Sequence, residues 1–413
     1  MRSFQTKHET RPAATLLASL LMVLVAAANA PAASYDPKQE YQPGDDVIAA
    51  DGNRYEAIAK VVGKAPATDD GAAWQLAEVL KPTILDVPGR FKTIQQAWTF
   101  VEPSQIRDGA EVVLEVATGN HPIAAPLELN HAAGDRITLR GGGKQPEDTV
   151  LEFASADGLV VSDGYRFVVQ NITLECNAKE PGTGLLLTVG SLVRATACRF
   201  VDFATGCHAD GNATLIAESC SVESPRGLSG FEVTSSGHAN LARCVAKAGR
   251  KNVPGNGNHG FIASDCSSMH CIECRAEGWS DGFRGFTSSS IVLTECIGKG
   301  NDWGASIWWS STLRASDCVF QKNRYAGIGI FSATAGAIQG CRISDSEKGV
   351  LVSGPAVAGF FLRPSTMTNC KIGIQAINGA YVDLKKEPRF NRVNRPFAVQ
   401  GGLTLKEAFW GTH

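Results

Sequence analysis

Beyond residue 30, no stretch of this 413-residue sequence approaches the ~20 apolar residues of a membrane-spanning helix, so no membrane span is expected in the mature chain. Neither charge is in excess. Lys and Arg number 39 against 41 Asp and Glu, a formal net charge of −2. A chain so balanced lacks the electrostatic footprint of a nucleic-acid binder or of a protein held on an anionic membrane, and no nucleic-acid partner is expected. Helical periodicity is scarce. Glycine, by contrast, is abundant at 43 residues, and it recurs at fixed intervals.

Glycines stand at 184, 206, 230, 260, 282, 304 and 327, and fourteen residues after each comes a cysteine: Cys198, Cys220, Cys244, Cys274, Cys296, Cys318 and Cys341. Most steps are 22 or 23 residues, with one of 24 and one of 30. A period of this length marks a solenoid whose units bury their faces against one another. Within a unit such as Gly282–Trp303, apolar and polar residues alternate in short runs between small and polar residues. That is strand grammar. Three short strands per unit predict an all-β fold, a right-handed parallel β-helix of ten to twelve turns, with glycine serving the tight corners. The residues one and three after each glycine, and the cysteines, read as inward columns, and the alternating positions read as outward.

Arg2, Lys7 and Arg11, an apolar run and Ala28-Asn29-Ala30 give residues 1–30 the form of a signal peptide. The expected location is secreted, periplasmic or cell-surface. Twelve cysteines in an exported chain suggest disulfides. However, side chains of one column point the same way and lack the crossing geometry of a bridge, so stacked free thiols are expected on the ladder. Cys207, Cys266 and Cys271 lie off it and are freer to pair. His270, Cys271 and Cys274 have metal-ligand spacing, but zinc would need two more ligands and Cys274 belongs to the ladder.

Residues 35–79 have a grammar of their own: Tyr41, Gly44-Asp45, Val47, Gly52, Tyr55, Pro66 and Trp74. This series resembles the small chitin- and cellulose-binding modules of carbohydrate-binding families 5 and 12, which implies a compact β module that stacks sugars on exposed aromatics. Two platform positions depart from the pattern, with Tyr35 in place of the usual tryptophan and Val61-Val62 where an aromatic often lies. Trp74 and Tyr55 read as core. Residues 80–90 read as a linker, residues 91–380 as the solenoid, opened by an end-capping helix at Phe91–Val101, and residues 381–413 as a last coil and cap. The stretches "AEVVLEVATGNHPIAAPLEL" and "DRITLRGGGKQPEDTVLEF" resemble the opening turns of pectin methylesterases and pectate-lyase-like proteins. The resemblance implies the fold. The paired aspartates of those esterases are missing, as are the motifs of polygalacturonases.

Function on a solenoid is expected on outward columns. Around five adjacent glycines, from Gly230 to Gly327, these columns gather Glu232, His259, Asp281, Arg284, Asp302, Trp303, Trp308 and Tyr325. Adjacent Trp308 and Trp309 are not both expected outside. A loop at Gly249–Asn258, which holds the extra residues of the long unit, would overhang this face. In a glycan-active protein His259, Asp281, Arg284 and Glu232 would be the catalytic set: Asp281 or Glu232 as acid or base, His259 as proton carrier, Arg284 neutralising a uronate carboxylate. Asp302, Trp303, Trp308 and Tyr325 would bind sugar rings. The expected partner is a polysaccharide or cell-surface glycan, handled by a lyase or glycoside hydrolase. Calcium is the cofactor expected of a lyase. The alternative is a non-catalytic adhesion or structural solenoid.

Overall fold

The structure, a computed structural model, describes residues 32–400 apart from 225–226, 249–256, 333 and 361–362. The leader, most of the expected overhanging loop and residues 401–413 of the expected cap lie outside the described residues. The chain forms an all-β, right-handed parallel β-helix of about 13 turns, each turn contributing one strand to each of three sheets. Two sheets have 12 strands and one has 13, and every contact between successive turns is parallel. The sequence repeat undercounted the turns because the first rungs carry neither the glycine nor the cysteine mark. Residues 80–90 are not a free linker: Thr83–Val87 forms the first strand of the 13-stranded sheet, paired with Val112–Val116.

Stacking turns sequence offset into vertical alignment. Phe261, Phe283, Ala305, Ile328 and Val350 are successive register partners, all buried. Phe231, Phe261 and Phe283 stack face to face with centroids 5.1 and 4.9 Å apart, close to the ~4.8 Å strand spacing. The cysteine ladder is also internal, from Cys198 to Cys370. Each thiol donates to a carbonyl, Cys220 Sγ to Ala195 O at 3.5 Å and Cys244 Sγ to Ala217 O at 3.5 Å, for example. All twelve cysteines are free thiols, including the off-ladder Cys207, Cys266 and Cys271. Burial pushes the Cys207 thiol well above its ordinary value, as expected of a sulfur used as a small hydrophobe. His270 lies on the outside of its strand while Cys271 and Cys274 are buried, so the ring and the thiols face opposite ways and form no zinc site.

The glycine column does not mark corners. Each glycine is the second residue of a strand in one 12-stranded sheet, hereafter the glycine sheet. A Cβ at Gly260 would lie 2.7 Å from Gly282 O, and one at Gly282 2.6 Å from Gly304 O. The absence of a side chain lets turn pack on turn. The sharp corner instead precedes each cysteine, where Ser219, Arg243, Glu273, Glu295 and Asp317 all have φ between 53° and 57°, the left-handed region that side chains normally disfavour.

At the N-terminal end, Thr93 caps helix α1 (Ile94–Val101), its hydroxyl accepting from Gln96 N at 3.2 Å. The helix closes the solenoid, with Trp98 packed edge-on against Phe167 at 5.7 Å. Residues 33–79 form a small sheet that also recruits Gln105–Ile106. Its Tyr41, Tyr55 and Trp74 are buried, with Tyr35 packed on Tyr41 and Trp74. These aromatics form the core of the module.

His131, buried beside α1, accepts from Ala133 N through Nδ1 (3.0 Å) and donates to Ser104 O through Nε2 (3.0 Å). Both nitrogens are satisfied only in the neutral ring. Burial depresses its pKa, against the Ser104 carbonyl and Glu102. The unfolded chain therefore takes up the proton first as pH falls, and stability should drop from the ordinary histidine value of ~6.5 downward. Denaturation midpoints across this window should fall in the wild type and flatten in His131→Gln.

Candidate functional site

On the glycine sheet, residues one before, two after and four after each glycine point outward. The first of these columns runs His259, Asp281, Trp303, Ala326 and the second Glu232, Ile262, Arg284, Ser306, Gly329. Asp281 is the centre. Its side chain is only 6% exposed and holds three partners. His259 Nδ1 stands 3.1 Å from Oδ2, Arg284 Nη1 donates to Oδ2 at 3.0 Å, and Ser306 Oγ donates to Oδ1 at 2.5 Å. Burial alone would raise the Asp281 carboxyl. The hydrogen bond and charge of His259, the charge of Arg284 and the Ser306 hydroxyl outweigh it and hold the group below the usual carboxylate range. The ionised Asp281, 3.1 Å from Nδ1 of His259, favours the ring proton on that nitrogen, with Nε2 as the other, unprotonated one.

The guanidinium of Arg284 lies 4.8 Å over Phe286 and 5.9 Å from the centre of Trp308. Trp308 stacks on Phe331 at 3.9 Å, and Trp303 meets Phe331 at 5.2 Å and Tyr325 at 5.6 Å. Gly329 makes room for this wall: a Cβ there would lie 2.5 Å from Phe331 Cε2 and 2.9 Å from Trp303 Cε3. Ala326, Phe331 and Leu351 are buried beneath Trp303 and Trp308, a second apolar core on the outside of the solenoid. Asp302 sits at its edge, 3.9 Å from Arg324. Burial raises its carboxyl, Asp281 adds to the shift and Arg324 opposes it. Four buried polar atoms here, His259 Nδ1, Ser280 Oγ, Arg284 Nε and Trp308 Nε1, have no hydrogen bond of good geometry among the described residues, His259 Nδ1 being held to Asp281 by charge at 3.1 Å.

His259, Asp281, Arg284, Trp303, Trp308 and Tyr325 are therefore brought together, with Asp302 beside them. Glu232 is not: Ile262 stands between it and Arg284 in the column. Trp308 and Trp309 are both outside, because the corner at Trp309 (φ 47°) breaks the alternation, and Trp309 packs on Phe286 at 4.5 Å. Both oxygens of Asp281 are engaged, and the carboxylate holds His259 and Arg284 beside one another. Ser306 and Phe331 belong to the site and were not assigned to it from sequence. Their signal is their place in the columns of Arg284 and Trp308.

Residues 250–387 match the family described as right-handed β-helix region. Among solved structures, the catalytic domain of a GH87 α-1,3-glucanase in complex with nigerose is similar, with a TM-score of 0.51 and 12% identity over 77% of this chain. The chain spans 66% of the length of that domain. The A-module of a mannuronan C-5 epimerase from Azotobacter vinelandii gives a TM-score of 0.49 and 14% identity over 71% of this chain and 90% of that one. No curated protein matches the chain. At these identities the likeness is one of fold. No helix among the described residues is long and apolar enough to cross a membrane.

Proposed function

We propose that the chain is an exported, glycan-active protein whose glycine-sheet face cleaves an acidic polysaccharide by β-elimination. The observation that carries this reading is a single buried carboxylate, Asp281, orienting an imidazole and a guanidinium side by side beneath an aromatic wall. A sugar ring laid on Trp308 and Trp303 would place its uronate carboxylate against Arg284, whose unpaired Nε awaits an acceptor. Arg284 stabilises the charge that develops on that carboxylate. His259 Nε2 takes the proton on the carbon next to it. The C–H electron pair forms the new double bond, the adjacent C–O bond breaks, and the leaving oxygen accepts a proton. Asp302, with its raised pKa, is the carboxyl suited to supply it, since divergent pKa values separate acid from base.

Hydrolysis by paired carboxylates fits less well, because both oxygens of Asp281 are already engaged. Nor do the residues fit the calcium expected of a lyase: no group of three or more His, Cys, Asp or Glu among the described residues is arranged to hold a metal ion. In this reading Arg284 takes over charge neutralisation.

The test is a panel of purified acidic and neutral polysaccharides. Polyuronates should yield products with the ultraviolet absorbance of an unsaturated sugar, and His259→Ala should remove it. Reducing ends without that absorbance would replace elimination by hydrolysis. Binding without either product would leave a glycan-binding wall.

A further inference from the structure

Another face of the solenoid, the 13-stranded sheet, carries a second feature. Five successive strands of the 13-stranded sheet, His238–Ala242, Ser268–Ile272, Ser290–Thr294, Thr312–Ser316 and Ala335–Gln339, each present three residues outward. None of these is a carboxylate, and the only rings are the imidazoles of His238 and His270. His238, His270 and Arg314 supply the only ionisable groups, and Lys386 closes over the upper end. Two cavities run along this face, one of about 330 Å³ and one of about 780 Å³, and they share Val292 as a common wall. Glu273 and Glu295 stand at the corners that follow the second and third of these strands, outside the strand face itself. Asp317 and Asp383, at its borders, are engaged by Arg363 and by Lys385 at 4.0 Å. Arg314 and Lys386 pair with no carboxylate among the described residues, although both line the larger cavity.

We infer that this cation-bearing groove is a second binding site, which holds a strand of acidic polysaccharide along the solenoid axis while the glycine sheet acts elsewhere on the polymer. It rests on the preceding reading only for the class of ligand. Unpaired cations on a strand face whose outward residues include no carboxylate favour an anion. The interleaved hydroxyls and amides select one with many hydroxyls: Ser290 accepts from Thr312 at 3.1 Å and Ser316 from Gln339 at 2.8 Å, each keeping capacity for a sugar. A chain laid along the axis crosses one turn about every 4.8 Å, so each sugar meets a fresh polar row. The lack of Phe, Tyr and Trp disfavours single-stranded nucleic acid, which binds chiefly by stacking its bases on such rings.

The experiment measures binding of soluble polygalacturonate, with neutral dextran and single-stranded DNA as controls, to the full chain and to Arg314→Ala/Lys386→Ala. The double variant is expected to bind polygalacturonate about tenfold more weakly. The loss should be the same in an Arg284→Ala background, and wild-type affinity should fall as salt rises. Arg284→Ala alone should abolish turnover yet leave this increment intact, so the failure of either site is read separately. Unchanged affinity in the folded double variant would overturn the inference. So would equal binding of dextran, or tighter binding of single-stranded DNA. Both substituted residues are exposed, and an unchanged thermal midpoint would establish that the variant is folded.

Discussion

Replacing Asp281 by alanine is expected to abolish polysaccharide turnover and to destabilise the chain by about 3–5 kcal/mol, the range for removing one partner of a buried ion pair. Arg284 and His259 would face an apolar wall with no counter-charge, since Asp281 is the group that holds both. Asp281→Asn separates the two effects. It keeps the shape and a hydrogen bond from Ser306 but removes the charge that sets the His259 tautomer. Turnover should fall by a factor on the order of 10²–10⁴, the usual contribution of an acid–base group, in a protein that still folds. Initial rates and chemical denaturation on the two variants check this. The sign with pH follows from the depressed carboxyl. The stabilisation it gives is present above the unfolded aspartate value of ~3.9 and is lost as pH falls through the lower folded value. Acid unfolding of the wild type should therefore be steeper than that of Asp281→Asn.

The second large effect belongs to the glycine column. Gly304→Ala should cost about 3 kcal/mol or more, at the top of the range for overpacking. The added Cβ would lie 2.5 Å from Gly327 O, 2.7 Å from Phe320 Cδ1 and 2.8 Å from Asn323 Nδ2. The carbonyl belongs to the ladder between turns and has nowhere to move. Gly300, four residues earlier, is the contrast. It lies at a corner with φ 66° and nothing within 4 Å of an added Cβ, so Gly300→Asn should be nearly neutral because asparagine tolerates the left-handed region. Denaturant midpoints of the two variants decide whether close approach or chain direction sets the requirement for glycine. Equal losses would mean that the glycine column serves corners after all.

This contrast shows where sequence reading stopped short. The glycine repeat is visible in the string and correctly announces the solenoid, yet it says nothing of why glycine is needed. A corner and a backbone–backbone contact leave the same letter at the same interval. Here the contact uses glycine, while Glu273, Glu295 and Asp317 bend the chain at positive φ. The linker was misread for a similar reason. Thr83–Val87 alternates weakly and carries no repeat mark, and only pairing with Val112–Val116 makes it the first rung.

What the sequence determined by itself is the period, and with it the columns. Alternation of side chains across a strand, together with a fixed number of residues per turn, decides that Cys198 to Cys341 lie inside and that His259, Asp281 and Trp303 lie on one outer line. Those facts need no coordinates, because period alone converts position in the chain into height and facing. The tertiary structure decided how neighbours on that line use one another. Asp281 is buried with three polar partners, Glu232 is cut off by Ile262, and both Trp308 and Trp309 emerge because one sits on a corner. It also brought together the groove on the 13-stranded sheet, whose residues are scattered over almost 150 positions from His238 to Lys386. The physical reason is that facing is a property of the backbone repeat, whereas contact depends on side-chain length, rotamer and burial, which are settled only when adjacent turns are packed together.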